Sequence, residues 1–574
     1  SAGGGSGGGV RINVGSMAGT GTIEANGGNG FDYHGTMSGS GGGGRIAIYY
    51  DLLSFPAERI SARGNTGGYK SGAGTIYLKD NAQTNGDIIV DNGNVSANLY
   101  TPFMTNLATF QSVNVKNQGQ LHPVIEDVSS FTVEHPVGVF GSSSLWLGNG
   151  VTMSVSNLSG FDVNTESGST LLLDTNSVLN ANAVRISGST LTIYIDMAFP
   201  VGADLELSGS GQINIGNNRT FSLERFDTAN MKSGTLNLSK GSRLDIISNT
   251  ATIGKGVTLI KDGSFGASDS LNTLFIDSGG VVTHSLRLLE GLRLHVIGTL
   301  EVKSGGAIDV SAKGLRGGAG GGSLFGKDGE AYDSLDQIVA GAVGGTYAGN
   351  RCGAGASYGG LGANSWGATN PCYGLLEDPH HLGAGGGGTE DNWRAGGHGG
   401  GRITINADVC IVDGVIRANG GNGAAGSPFS AGGGSGGGVR INVGSMAGTG
   451  TIEANGGNGF DYHGTMSGSG GGGRIAVFYD AITLQLSNIS ARGGSGTGAT
   501  ASAGTIYLKY NTQSLGSVIV DNANISCQLY TPWKSGLTTI QNLSVMKAGK
   551  LDIGEEINIE GQLLINTGGI IGRP

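Results

Sequence analysis

The block from Ser1 to Ala47 recurs without a change as Ser430 to Ala476, an offset of 429 residues. Beyond it the match loosens but continues: GTIYLKDNAQ around Thr75 is answered by GTIYLKYNTQ around Thr505, and VDNGNVSANLYTPF by VDNANISCQLYTPW, with one inserted residue between. A compact enzyme has little reason to carry such a copy, whereas an array of stacked units requires one. Ser1 stands inside a glycine run with no initiating Met, which reads as a window cut from a longer polypeptide.

A shorter period lies inside the long one. Arg402-Ile403-Thr404-Ile405, Arg440-Ile441-Asn442-Val443 and Arg474-Ile475-Ala476-Val477 each follow a glycine run. Alternating Ile and polar residues predict half-buried strands. IRANGGNG ending at Gly423 returns as IEANGGNG ending at Gly459, which would stack Asn419 near Asn455 so that their amides bond one another. From about 105 to 312 the glycine runs give way to short strands such as Leu171-Leu172-Leu173, Leu191-Thr192-Ile193 and Ile213-Asn214-Ile215, punctuated by Gly, Ser, Asn or Asp. GSTLLLD at Gly168 and GSTLTIYID at Gly188 are about one turn of a parallel β-helix apart. No 3.6-residue stripe persists, and a β-sandwich predicts domains near 100 residues rather than a long copied block.

The expectation is therefore an all-β chain: a parallel β-helix, or solenoid, with glycine-rich loops and a tandem 429-residue repeat. Its segments would be 1–80, glycine-rich coils of a partial repeat; 81–312, regular coils; 313–400, a glycine-rich excursion; 401–509, the second copy of the glycine-rich coils; and 510–574, the start of the next regular segment. At about 4.8 Å per coil the whole would be a rod on the order of 100 Å long. The 114 glycines among 574 residues, with only 13% charged and 37% hydrophobic, suit tight turns and close backbone approach rather than disorder.

The 313–400 excursion breaks the rhythm, and a loop of that length is functional or stapled. A disulfide between Cys352 and Cys372 would stabilise it by roughly 3 kcal/mol; the alternative is two reduced, buried thiols. Cys410 and Cys527 read as small apolar fillers. Trp366, Tyr373 and Trp393 in the excursion are candidates for ligand or lateral contact, stacking on sugars.

SYGGLG from Ser357, CYGLLEDPHHLGAGGGG from Cys372 and the GGGRI-type strand starts resemble the very large, secreted, glycine-rich β-helix repeat proteins of many protists and some bacteria. The resemblance implies a surface, matrix, adhesin or appendage role, a flagellar hair among them. Gly397-His398-Gly399 with Arg402-Ile403 looks like elements of the pectin hydrolases, but the acid motifs that supply that family's carboxylates are absent, so no catalytic residue is assigned.

The remaining motifs point to structure. GGNGFDYHG at Gly27 and Gly456 nearly matches a calcium-binding nonapeptide, yet consecutive copies are needed and these are far apart, so Asp32 and Asp461 read as turn residues. Asp328, Glu330, Asp333 and Asp336 read as a solvated acidic group. His380 and His381, with His398, have poor geometry for metal because adjacent residues of an extended chain point apart. No metal and no cofactor is expected. Arg11, Arg45, Arg402, Arg440 and Arg474 would form a row of like charges if their strands stacked in register. Sequons stand at Asn94, Asn157, Asn218, Asn237, Asn488, Asn524 and Asn542, open to glycosylation in a secreted eukaryotic protein.

A net charge of −10 without a basic cluster argues against nucleic acid, and no apolar run is long enough to span a bilayer. The sequence thus points to a structural subunit of an extracellular or cell-surface filament, whose partners are other copies of itself, end to end or laterally. The alternatives are an adhesin for surface glycans and a polysaccharide lyase or hydrolase.

Overall fold

The computed structural model describes residues 2–33, 35–157, 160–199, 201–345, 352–389, 394–426, 429–462 and 465–572. They form an all-β, predominantly parallel structure with three single 3-10 turns, Ala57–Arg59, Ala319–Gly321 and Leu486–Asn488, and no α-helix. No helix among the described residues is long and apolar enough to cross a membrane. The chain divides into two compact units, Ser1–Ser248 and Asn249–Pro574.

In the first unit, alternating apolar residues are what the parallel pairing buries. Leu171 pairs with Leu191, Leu191 with Ile213 and Ile213 with Leu236, and each is fully buried. Burying one such side chain is worth about 1.5–3 kcal/mol, and a one-residue slip would turn the whole row outward, so the pattern fixes the register. The chain visits three parallel sheets in turn: Val137–Val139, Ser144–Leu147 and Thr152–Val155, then Val163–Glu166, Thr170–Leu173 and Val178–Asn180. Corners between them need left-handed backbone, supplied at Gly168 (φ 73°) and Asn176 (φ 58°). The pairing turns antiparallel where Thr75–Asp80 meets Asp87–Asp91 and in the short hairpin of Asp32–Tyr33 with Thr36–Met37.

The second unit carries longer parallel strands, Leu292–Val302, Arg402–Val412, Gly438–Ala447, Arg474–Ile482 and Thr505–Tyr510. Ile403, Val439, Ile475 and Ile506 stand in one row. That register also separates the arginines expected to form a ladder. Arg402 pairs with Gly438, which pairs with Arg474, while Arg440 lies between Thr404 and Ala476. A glycine or a small side chain thus intervenes between like charges.

The glycine runs are not loops. Gly432, Gly433 and Gly434 donate their N–H groups to the carbonyls of Gly387, Gly468 and Gly421, and Ser435, Gly436 and Gly437 repeat the cycle to Ala384, Gly471 and Ala418. Gly468, Ser469 and Gly470 bond Gly353, Ala499 and Gly457, and the next three residues bond Ala356, Ser502 and Ala454. A strand alternates between two directions; a period of three is that of a polyproline II helix, which has no internal hydrogen bonds and offers each N–H to a different neighbour. Only glycine permits the spacing: a Cβ on Gly432 would lie 1.9 Å from the Ala354 carbonyl oxygen, and on Gly434 2.1 Å from that of His398. The excursion joins this layer, so it is packed rather than tethered.

Candidate functional site

The excursion forms a cover over the second copy of the repeated block. Gly353 and Ala356 accept N–H groups from Gly468 and Gly471, Gly359 and Gly360 donate to the Gly472 carbonyl, and Leu361 and Ser502 bond each other. Behind these segments Ala331, Ala342, Ala354, Ala356, Tyr358, Tyr373 and Ala384 form a buried cluster, a core the sequence had not disclosed.

Arg474 is the charge at the centre of the cover and is fully buried. Its Nε and Nη2 donate to the Tyr373 carbonyl at 3.2 and 3.1 Å, its Nη1 donates to Thr505 Oγ1 at 3.1 Å, and the guanidinium lies over the Tyr358 ring. Burial draws its pKa down, with Tyr358 opposing. One residue stretch further on, Leu376 is plugged among Ala476, Ala503, Tyr507, Val518, Trp533 and Ile540. Leu376 N–H donates to the Lys534 carbonyl, and the Glu377 carboxylate accepts from Ser535 Oγ at 2.9 Å and Gly536 N at 2.8 Å.

A cavity of about 600 Å3 opens beside the plug, lined by Tyr332, Asp336, Tyr373, Leu375, His380, His381 and Lys534 among others. Asp336, His380 and His381 place ligand atoms within 4.8 Å of one another, the donor set that could take a divalent transition metal. His381 Nε2 and Asp336 Oδ1 are 2.8 Å apart, and His380 Nδ1 faces Asp378. Burial lowers the His381 pKa against the opposing Asp336 contact, and desolvation pushes Tyr332 up to about 12. Contrary to the expectation that adjacent histidines point apart, the His380 and His381 ring centroids lie 4.0 Å from each other; only His398 stands elsewhere, with Nδ1 accepting Gly317 N–H at 3.0 Å.

Several expectations are corrected. Cys352 and Cys372 are free, buried thiols in separate surroundings. Cys352 Sγ accepts Ser430 N–H and donates to the Thr465 carbonyl, whereas Cys372 lines the cavity with its pKa pushed by burial up to about 12. The staple is unnecessary because backbone hydrogen bonds hold the excursion. The acidic residues are also dispersed. Glu330 is fully buried against Arg287 Nε at 2.8 Å and Arg316 N–H, Asp328 accepts Gly344 N–H, and Asp333 accepts Leu335 and Gln337 N–H. Asn419 and Asn455 do meet, but through Asn455 N–H donating to Asn419 Oδ1 at 2.7 Å, 36 residues apart. The amide caps the neighbouring backbone rather than another amide.

Tyr373 is buried with its hydroxyl donating to the Leu382 carbonyl, Trp366 is exposed, and Trp393 lies outside the described residues. Tyr373 therefore offers no ring face for a sugar in open solvent. Cys410 and Cys527 are buried. Asp32 and Asp461 begin matching hairpins, Asp32–Tyr33 with Thr36–Met37 and Asp461–Tyr462 with Thr465–Met466. Of the sequons, Asn94, Asn218 and Asn524 are exposed in left-handed turns, and Asn157, Asn237, Asn488 and Asn542 are half-buried. Asn488 and Asn542 use their Nδ2 groups in hydrogen bonds, which a glycan there would disrupt.

In comparisons with known proteins, no protein family, no curated protein and no solved structure matches the chain.

Proposed function

We propose that this chain is a structural unit of an extracellular or cell-surface filament, in which the parallel sheets close into the coils of a β-solenoid and the repeated block is copied along the polypeptide. The observation that carries the reading is the in-register row Ile403, Val439, Ile475, Ile506 beside a layer whose glycines bond in three directions. Such stacking has no intrinsic limit in length, because each layer contacts only its neighbours. The resemblance to secreted glycine-rich β-helix proteins points the same way. In this reading the excursion displays or joins, and the interior residues stiffen. Electron micrographs of chains bearing one, two and three periods test it: rods that lengthen by a constant increment per period are expected, and globules of unchanging length would overturn it.

A second reading, a surface-binding adhesin, is favoured by the aromatic and histidine-lined cavity and by exposed Trp366. Saturable glycan binding abolished by Trp366→Ala or by Tyr332→Ala would support it.

A further inference from the structure

Two identical blocks meet two different fates in this chain. Gly39 and Gly42 correspond to Gly468 and Gly471 by the 429-residue offset. In the second copy these glycines donate to Gly353 and Ala356, and a Cβ on Gly468 or Gly471 would strike the Ala363 or Gly360 carbonyl at 1.9 or 2.0 Å. In the first copy a Cβ on Gly39 has nothing within 4 Å, and one on Gly42 meets only the Gly72 carbonyl oxygen at 3.7 Å. Arg45 is exposed where Arg474 is fully buried, and Thr75 is half-exposed where Thr505 is buried.

The plug site is open as well. Ala47, Ala73, Tyr77, Ile88, Phe103 and Phe110 correspond to the residues that enclose Leu376, and most of them line a cavity of about 340 Å3. Met104 and Leu107 on its rim are 57% and 43% exposed, a large apolar surface for a chain of this composition. Thr105 stands where Ser535 receives Glu377, and its Oγ1 accepts Leu107 N–H just as Ser535 Oγ accepts Leu537 N–H. Glycine edge, arginine, socket and carboxylate receptor are all present and preformed.

We infer that the open face formed by Gly39, Gly42, Arg45, Tyr77, Phe103 and Thr105 is a docking site for a further copy of residues 353–377. That copy would be joined ahead of the open block in the covalent order that residues 313–400 hold ahead of Ser430. Its glycine strand lies along Gly39–Gly42, its Tyr373-equivalent carbonyl takes the Arg45 guanidinium, its Leu376 equivalent fills the cavity, and its Glu377 equivalent caps Thr105. The inference gives the repeat-array reading a specific joint; it rests on that reading only for the direction of the join.

Amide hydrogen exchange tests it with an internal standard, because TMSGSGGGGRI is cut with the same mass from residues 36–46 and 465–475. In the present chain this peptide exchanges as two populations, one fast and one slow. Joining residues 313–429 ahead of Ser1 makes the fast population disappear, whereas joining 401–429 alone leaves it. Gly42→Val, whose Cβ meets only the Gly72 carbonyl oxygen at 3.7 Å in the uncovered block, keeps the chain folded but restores a fast, mass-shifted peptide in the longer extension. A fast population that persists in the 313–429 extension overturns the inference. Rods without closure of this face would sink the docking site and spare the filament; closure without rods would do the reverse.

Discussion

At the scale of single residues, environment outweighs identity. Arg474→Ala removes three donors and leaves the Tyr373 carbonyl without its partners, a loss of roughly 3 kcal/mol. Arg45→Ala, at the matching exposed position, should change stability by less than about 0.5 kcal/mol; urea unfolding of the two variants checks the contrast. His284 is buried with Nδ1 against the Ser285 carbonyl, and burial pushes its pKa down to about 4. Since the folded-state value lies below the unfolded one, the unfolded chain takes up the proton first, and stability falls as pH drops from about 6.5 towards 4, by on the order of 3 kcal/mol. His284→Leu should flatten that part of the pH profile. The four buried thiols predict that native chain resists alkylation and that reductant leaves the melting temperature unchanged.

At the scale of elements, glycine position matters more than glycine content. Gly434→Ala would force a Cβ to 2.1 Å from the His398 carbonyl, while Gly5→Ala, the same residue of the same sequence, meets nothing within 4 Å. The first should cost 1–3 kcal/mol or more, as overpacked cores do, at about the limit of what the layer can absorb, and the second almost nothing; melting curves separate them. The strands were legible because Leu171, Leu191 and Ile213 alternate with polar residues, and alternation has one meaning in a half-buried sheet. The glycine layer was not, because a residue without a side chain leaves no pattern of burial to read. Its period of three is written in backbone hydrogen bonds alone. For the same reason Cys352 and Cys372 suggested a staple for a segment that proved to have its own packing. The plug at Leu376 was equally hidden, since the short Leu375-Leu376 pair gives no hint of a socket far along the chain.

At the scale of the whole molecule, the identical stretches of sequence fold into strands at matching positions. Gly9–Met17, Arg45–Leu53 and Thr75–Asp80 of the first unit have counterparts in Gly438–Ala447, Arg474–Ile482 and Thr505–Tyr510 of the second. If further periods stack as proposed, calorimetry of longer chains should show unfolding enthalpy rising in proportion to the number of periods. The glycine layer adds a property that sheets lack. Stacked sheets carry hydrogen bonds within each sheet and only side-chain contacts between them, so a crack can run along the gap. Where Gly432 to Gly437 bond neighbours on three sides, every plane parallel to that segment crosses hydrogen bonds, and the layer has no easy direction in which to split.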